Sequence, residues 1–252
     1  MVIQVIRANC RDKFNADDFA FIVNSLAKDS KNKAGLTELL TDAESRDEIL
    51  DQKELFLNVV QKSRISKISP YLYFYVLARK TFLENDIDDR ELTDYIACML
   101  AEFCSAQRSQ TISQNHSRSY HYLVDIMADF VEASSFEAFY LRSHLGNYAL
   151  FMTGFFPDAI YQKSTHGRKT PGFEYYENMG KSSYRWASQH RLAIKYSLVE
   201  TLATLAERFR QVRIALNNLA DNYVDIQNGR DSLDKMLRQI FFGNQNNNTY
   251  EA

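Results

Sequence analysis

The chain has 252 residues and a formal net charge of −2, with 45% hydrophobic and 25% charged residues. This length allows one large domain or two small ones with a substantial core. The near-neutral charge argues against a dedicated nucleic-acid-binding protein, which usually carries a strongly basic face. Eight glycines and three prolines provide few turn-forming residues, so the elements are expected to be few and long, which favours helices.

The first part of the chain carries helix-start signals. Asn15 occupies a capping position, and Phe19, Ile22 and Val23 follow at helical spacing, so a helix is expected there. The stretch 36–61 is predicted to form one or two amphipathic helices.

Two further helices are predicted on either side of a short turn. Ser69 followed by Pro70 is a typical cap and first helical residue, and the start of segment 70–84 is apolar on all sides, so it should be buried. Asp88 or Asp89 is expected to cap the second helix. The pair has the outline of a helix-turn-helix unit, but its second helix offers acidic side chains where base contacts need basic or amide groups.

Polar segments interrupt the second half of the chain. Residues 105–119 and 158–172 are predicted to be loops. Ser119 and Ser135 are predicted to cap the two helices between them, and Phe173 to begin the helix that follows the second loop.

The least polar stretch, residues 144–157, contains two glycines. No formal charge occurs between Arg142 and Asp158, but this gap is shorter than the roughly 20 residues that a membrane span needs, so membrane insertion is not expected. Gly146 is predicted to let a neighbouring helix approach closely, and Gly154 to end the helix as a left-handed cap.

The longest periodic signal runs from residue 190 to residue 226. Apolar residues alternate there in steps of four and three, which predicts one long helix whose apolar seam is covered by a partner helix. The partner is either a helix of the same chain, in which case the long helix is the spine of a bundle, or a second copy of the chain. The seam consists of Leu198, Leu202, Leu205, Phe209, Val212, Leu216, Leu219 and Tyr223.

Motifs for nucleotides and metals are incomplete in this sequence. Residues 180–183 read GKSS, but Tyr175 stands where a phosphate-binding loop needs its first glycine. The sequence lacks the Glu-x-x-His, His-Glu-x-x-His and Cys-x-x-Cys spacings of metal sites. Neither a metal nor a cofactor is therefore expected, and the three cysteines predict reduced thiols in a cytoplasmic protein.

One region combines features of a site for a small anionic ligand. A basic loop at 158–172 precedes a helix rich in aromatic residues, and donors beside aromatic side chains are common where polar ligands are held. The alternative is a solvated loop that leads into a packed helix. The candidate ligand-binding residues are His144, Tyr148, His166, Arg168, Lys169, Tyr176, Tyr184, Arg185 and Trp186.

Several segments are similar to segments in a group of uncharacterised bacterial helical proteins. They are SPYLYFYVLAR with DDRELTDYIA, HLGNYALFMTGFFP, and YYENMGKSSYR. The resemblance covers residues 69–190 and implies a helical bacterial protein. No activity, cofactor or partner is assigned to that group, so the resemblance implies no function.

The sequence as a whole predicts an all-α fold, a multi-helix bundle with one long central helix. The expected organisation is a single domain over residues 1–241 with a disordered tail at 242–252. Within the domain we expect N-terminal helices at 1–67, a core bundle at 68–227 and a short last helix at 231–241.

Two hypotheses for function follow. The first is a non-catalytic cytoplasmic binding or regulatory protein that self-associates as a homo-oligomer, without nucleic-acid or membrane partners. The second is a small-molecule sensor or enzyme with a pocket between helices 136–153 and 173–190. In that pocket His144 or His166 would act as the acid–base group, and Arg185 would hold an anion.

Overall fold

The regular structure of this chain is helical. The computed structural model describes residues 5–62, 68–103, 133–158, 160–161 and 172–224. Every regular element in these ranges is a helix, which confirms the predicted all-α fold. None of the helices in the same ranges is long and apolar enough to cross a membrane.

We number the α-helices of the described ranges in chain order. A short 3-10 helix, Arg11–Lys13, precedes the first, and a π-helical turn, Ala220–Val224, follows the last. The α-helices are α1 (Ala16–Leu26), α2 (Ser30–Leu39), α3 (Ala43–Leu50), α4 (Lys53–Lys62), α5 (Pro70–Glu84), α6 (Arg90–Phe103), α7 (Ser135–Phe155), α8 (Phe173–Ser188), α9 (Arg191–Lys195), α10 (Val199–Glu207) and α11 (Phe209–Leu219).

The chain groups into two compact units. The first unit is Ala8–Ala101, and the second unit consists of Met1–Arg7 and Glu102–Ala252. The first contains α1 to α5 and most of α6, and the second contains α7 to α11. The single domain expected over residues 1–241 stays a prediction.

Helix starts in the first unit follow the capping signals in the sequence. The Asn15 side chain accepts a hydrogen bond from the Asp18 N–H, and the Asp18 carboxylate accepts one from the Asn15 N–H, both at 3.0 Å. Ser69 caps α5 with Pro70 at the first helical position, and Asp89 caps α6. These predictions are confirmed. The stretch predicted as one or two helices contains α3, α4 and the end of α2.

Ion pairs between three arginines and four aspartates connect elements of the first unit. Arg11 precedes α1, whereas Arg79 lies on α5 and Arg90 on α6. The pairs are Arg11 with Asp47 and Asp94, Arg79 with Asp51 and Asp88, and Arg90 with Asp47 and Asp51.

Two cysteine thiols are buried in the core of the first unit. Cys10 and Cys98 are both fully buried and free of disulfide bonds. The Cys10 thiol donates to the Tyr71 carbonyl oxygen at 3.4 Å. Burial raises the pKa of Cys10, and the neighbouring Cys98 raises it further. Because the thiolate is the reactive form, the structure assigns these cysteines to packing rather than chemistry.

We therefore expect both thiols to be unreactive in the folded chain. The measurement is a colorimetric thiol titration of a Cys104→Ser variant, without and with guanidinium chloride. Cys10 and Cys98 should react only in denaturant, because unfolding exposes both thiols and returns the pKa of Cys10 to its ordinary range. Fast labelling of either thiol under native conditions would contradict this assignment.

Close helix packing in the second unit depends on glycines. A Cβ atom added at Gly146 would lie 2.7 Å from the Tyr184 ring, which confirms that Gly146 permits close approach. Gly154 was expected to end its helix, and this prediction is wrong: α7 continues to Phe155. A Cβ atom at Gly154 would lie 2.8 Å from the Leu216 Cβ, so Gly154 also serves close packing.

The long helix predicted over residues 190–226 is interrupted. Ser197 adopts a left-handed conformation, with φ of 55°. The Leu198 N–H bonds to the Ala193 carbonyl at 2.8 Å and the Ser197 N–H to the Ile194 carbonyl at 3.1 Å, which together form a Schellman motif that ends α9. A second interruption at Arg208 separates α10 from α11.

The apolar seam of this segment is nevertheless buried within the chain. Tyr223 is only partly buried. The seam residues of both α10 and α11 are buried. The spacing therefore predicted burial correctly, although the helix is not continuous. The fully buried seam residues are Leu198, Leu202, Leu205, Phe209, Val212, Leu216 and Leu219.

Boundary predictions in the second unit vary in accuracy. The N-cap of α7 is Ser134 rather than Ser135, because Ser134 and Glu137 form a capping box. α8 begins at Phe173 as predicted. The predictions for the loop 105–119, the cap Ser119, most of the loop 158–172, the last helix 231–241 and the tail 242–252 lie outside the described residues.

Candidate functional site

The first unit contains an open groove of about 630 Å³ between α1, α2 and the start of α3. We call it the α1–α2 groove. Its volume lies within the range of small-molecule sites, which are mostly apolar with a few polar groups. It is lined by Phe19, Ala20, Val23, Asn24, Lys33, Thr37, Leu40, Thr41 and Arg46.

The α2 side of the groove is polar. Lys33 and Thr37 are one helical turn apart, so they share a face of α2, and both line the groove. No residue of α2 is buried, and Leu40, which follows the helix, is the first buried residue after it. The α1 side contributes the apolar surface of Phe19 and Val23.

Capping groups fix the helices around the groove. The Asp29 side chain accepts a hydrogen bond from the Asn32 N–H at the start of α2, and Asp42 accepts one from the Ser45 N–H at the start of α3, both at 2.8 Å. Such caps are worth about 1 kcal/mol each. They stabilise the starts of α2 and α3, two helices that bury few of their own residues.

Arg46 brings an unsatisfied donor into the groove lining. Its Nε atom is buried and has no hydrogen-bond partner, and its guanidinium makes no ion pair within the described part of the chain. A buried donor without a partner costs about 1–3 kcal/mol, and more when it is charged. Arg46 is only half-buried, so an incoming acceptor would meet the outer part of this guanidinium rather than the buried Nε atom.

The electrostatic character of the lining is positive. Lys33 provides a second cation, and its Nζ atom donates to the Asn24 Oδ1 atom at 2.8 Å. Asp42 lies outside the lining and is fully exposed; hydrogen bonds from Ser45 and, less strongly, the charge of Arg46 lower its pKa. No aspartate or glutamate lines the groove. A bound anion would thus meet two positive charges without a carboxylate among them.

The groove has the chemistry of a binding site rather than of a catalytic one. Its lining contains no histidine, cysteine or carboxylate, the usual general acids, bases and nucleophiles. Among the residues that the structure describes, no cluster of histidine, cysteine and carboxylate side chains could hold a metal ion. The lining can hold a ligand by apolar contact and by charge.

Most described residues of the site predicted from the sequence lie in helix packing. His144, Tyr148, Tyr176 and Tyr184 are buried in the second unit. The Tyr184 ring packs against Gly146, and its hydroxyl donates to the Asn147 Oδ1 atom at 2.8 Å. α7 and α8 are therefore in direct contact where the predicted pocket would begin.

Arg185 and Trp186 are exposed residues of α8. The Trp186 ring stacks on His190 with centroids 5.2 Å apart, and the Arg142 guanidinium lies 5.7 Å from the Trp186 centroid. His190 Nδ1 accepts the Leu192 N–H at 3.2 Å, so Nε2 carries the proton and donates to Ser135 Oγ at 3.0 Å. Burial lowers the pKa of His190, and the nearby Arg191 lowers it further. Trp186 thus belongs to a surface stack of side chains.

The remaining residues of that predicted site, His166, Arg168 and Lys169, lie outside the described residues. The site in the second unit therefore stays a prediction. The α1–α2 groove was missed by sequence reasoning, although one signal was present: Lys33 and Thr37 occupy a helical face where packing against α1 would favour apolar residues.

Comparisons with known proteins do not extend these findings. Neither a family model, nor a curated protein, nor a solved structure matches the chain. The resemblance to uncharacterised bacterial helical proteins stays a prediction. A functional interpretation must therefore be argued from the geometry of the groove.

Proposed function

We propose that this chain is a non-catalytic binding protein that takes up a small ligand in the α1–α2 groove. The observation that carries the proposal is an open groove of about 630 Å³ whose lining includes Arg46, a half-buried cation whose guanidinium has no hydrogen-bond partner in the described part of the chain. A folded chain gains free energy when a ligand satisfies such a donor. The lining contains no histidine, cysteine or carboxylate, and its amine, Lys33, already donates to Asn24, which supports binding over catalysis.

We also propose that the chain forms a homo-oligomer, but this proposal has less support than ligand binding in the groove. The seam that suggested it is buried within a single chain from Leu198 to Leu219. A homo-oligomer would have to use other apolar side chains, such as Ile194 or Tyr161, which are 73% and 69% exposed.

The alternative, a sensor or enzyme with its pocket between α7 and α8, also has less support. Tyr184 fills the space at Gly146, and its hydroxyl is bonded to Asn147. An acid–base role for His144 or His166 with Arg185 would require a cavity at this contact.

The proposed function predicts ligands that stabilise the chain through the groove. Thermal melting of the full chain is recorded with aliphatic and aromatic carboxylates, alcohols, amines, sugar phosphates and nucleotides. A ligand at one hundred times its Kd stabilises the folded state by about 2.7 kcal/mol, which raises the Tm measurably. We expect at least one of these classes to raise the Tm.

Two tryptophan variants identify the site of binding. Ala20→Trp fills the groove from α1, at an exposed position, and should abolish the rise in Tm. Ala34→Trp adds the same side chain at an exposed position of α2 outside the lining, and should leave it unchanged. If every stabilising compound acts equally on both variants, the groove is not the binding site. If none of the classes raises the Tm of the unmodified chain, the proposal is wrong.

A further inference from the structure

We infer that the ligand of the α1–α2 groove is an amphipathic monocarboxylate, that is, a carboxylate on an extended apolar body. This inference rests on the proposed function and adds the chemical class of the ligand. The lining has two parts, an apolar wall formed by Phe19, Val23 and Leu40, and two cations, Lys33 and Arg46.

The apolar wall sets the shape of the ligand body. Phe19 and Val23 lie one turn apart on α1, and Leu40 lies between α2 and α3. These side chains therefore line the groove with apolar surface from two sides. Transfer of a methylene group from water to such a surface is worth about 0.8 kcal/mol. A ligand with an alkyl or aryl body gains affinity there, whereas a fully polar ligand does not.

The two cations of the lining set the head group. The Arg46 guanidinium has no hydrogen bond in the described part of the chain and its side chain is only half-buried, so the outer edge formed by its two Nη atoms, rather than the buried Nε atom, can meet a ligand. This edge matches the two oxygens of a carboxylate, which it can bind in bidentate fashion. Lys33 adds a positive charge to the same lining, held by its hydrogen bond to Asn24.

A phosphate head group fits these donors less well. Phosphate sites commonly draw on several free backbone N–H groups at a helix N-terminus. At the start of α3, the Ser45 N–H already bonds to the Asp42 side chain at 2.8 Å. One guanidinium edge and one ammonium group therefore suit a singly charged carboxylate better than a dianion.

The test measures binding of four probes to the full chain by isothermal titration calorimetry. Decanoate carries both features, decan-1-ol has the apolar body without the charge, acetate has the charge without the body, and decyl phosphate has the other head group. We expect decanoate to bind most tightly. Shortening its chain should weaken binding by up to about fourfold per methylene group.

Variants of Arg46 test the head-group contact. Arg46→Gln should weaken decanoate binding about tenfold to a hundredfold, with little effect on decan-1-ol. Arg46→Lys keeps the charge but loses the planar edge, so its affinity for decanoate should lie between those of the unmodified chain and of Arg46→Gln. Lys31→Gln, which removes the same charge from an exposed position of α2 outside the lining, is the matched control. Circular dichroism verifies that each variant is folded.

The outcomes separate the ligand class from the proposed function. If decan-1-ol binds as tightly as decanoate and Arg46→Gln changes neither, while Ala20→Trp abolishes both, the groove binds ligands but the carboxylate assignment is wrong. If decyl phosphate binds more tightly than decanoate, the carboxylate assignment is likewise wrong, whereas the groove remains the proposed binding site. If no probe and no screened compound binds in a manner sensitive to Ala20→Trp, both proposals are overturned.

Discussion

Replacement of Asp94 by alanine should lower the free energy of unfolding by about 3 kcal/mol. Asp94 is 3% exposed and pairs with Arg11. Its carboxylate accepts three hydrogen bonds from Arg11, from the backbone N–H at 3.0 Å, from Nε at 2.9 Å and from Nη2 at 2.7 Å. The variant removes all three acceptors and leaves a largely buried guanidinium.

The charge states of the two partners explain why the loss is large. Burial lowers the pKa of Arg11, but hydrogen bonds to Asp94 and Asp47 raise it by more, so the guanidinium stays charged. Burial raises the pKa of Asp94 above its ordinary value, and the hydrogen bonds and charge of Arg11 offset this rise only in part. Three N–H donors and a charged guanidinium directed at this one carboxylate favour its ionised form in the pair. Asp47 remains as a partner of Arg11 in the variant, which keeps the loss at the lower end for a broken buried pair.

Asp88→Ala provides the matched control for Asp94→Ala. Asp88 pairs with Arg79 at the same distance of 2.7 Å, but its side chain is 77% exposed, and Arg79 keeps Asp51 as a partner. Exposed ion pairs contribute about 0–1 kcal/mol, so we expect a loss below about 1 kcal/mol. Urea denaturation measures the free energy of unfolding of both variants, and an unchanged m-value shows that only the stability has changed. Equal losses for the two would contradict the role given to burial.

The helix starts of this chain could be predicted because their causes are local. At Asn15, Ser69 and Asp89 the capping group and the N–H that it accepts are three residues apart, so the signal is complete within one turn. The error at Ser135 has the same origin. Ser134 and Ser135 are equally suitable caps, and only Glu137, three residues after Ser134, distinguishes them.

The interruption at Ser197 could not be predicted from apolar spacing. A left-handed residue at the end of a helix is usually glycine or asparagine, and serine adopts this conformation at a cost in free energy. The two hydrogen bonds of the Schellman motif and the burial of Leu198 offset that cost. The spacing of the seam predicts which residues are buried, and this prediction holds on both sides of the other interruption, at Arg208.

The candidate site was harder to predict, because its residues match no motif. Motif searches look for characteristic residues at fixed spacing, whereas the groove is lined by single residues of α1, α2 and α3, such as Val23, Thr37 and Arg46. Conversely, Tyr184 and His144 are residue types common in sites, but here they are buried in the second unit. Whether an aromatic side chain lines a pocket or fills it is decided by the residue opposite, here Gly146.

Gly180→Ala should lower the free energy of unfolding by about 2 kcal/mol. A Cβ atom at Gly180 in α8 would lie 2.4 and 2.6 Å from two ring carbons of Phe209 and 3.1 Å from the Ala149 Cβ atom. Phe209 is fully buried, so its ring has little room to move. Overpacking of this kind costs about 1–3 kcal/mol, and a close clash with a buried ring lies at the upper end. The better helix propensity of alanine returns up to about 1 kcal/mol.

Gly35→Ala tests the same substitution without the contact. Gly35 also lies inside a helix, α2, but no atom lies within 4 Å of an added Cβ. Only the propensity term remains, so this variant should raise the free energy of unfolding by about 0.5–1 kcal/mol. Urea denaturation compares the two. Opposite signs are the signature of close packing at Gly180, because a general effect of alanine in helices would stabilise both variants. Phe209→Leu combined with Gly180→Ala should then cost less than the sum of the single changes, since the smaller side chain relieves the clash.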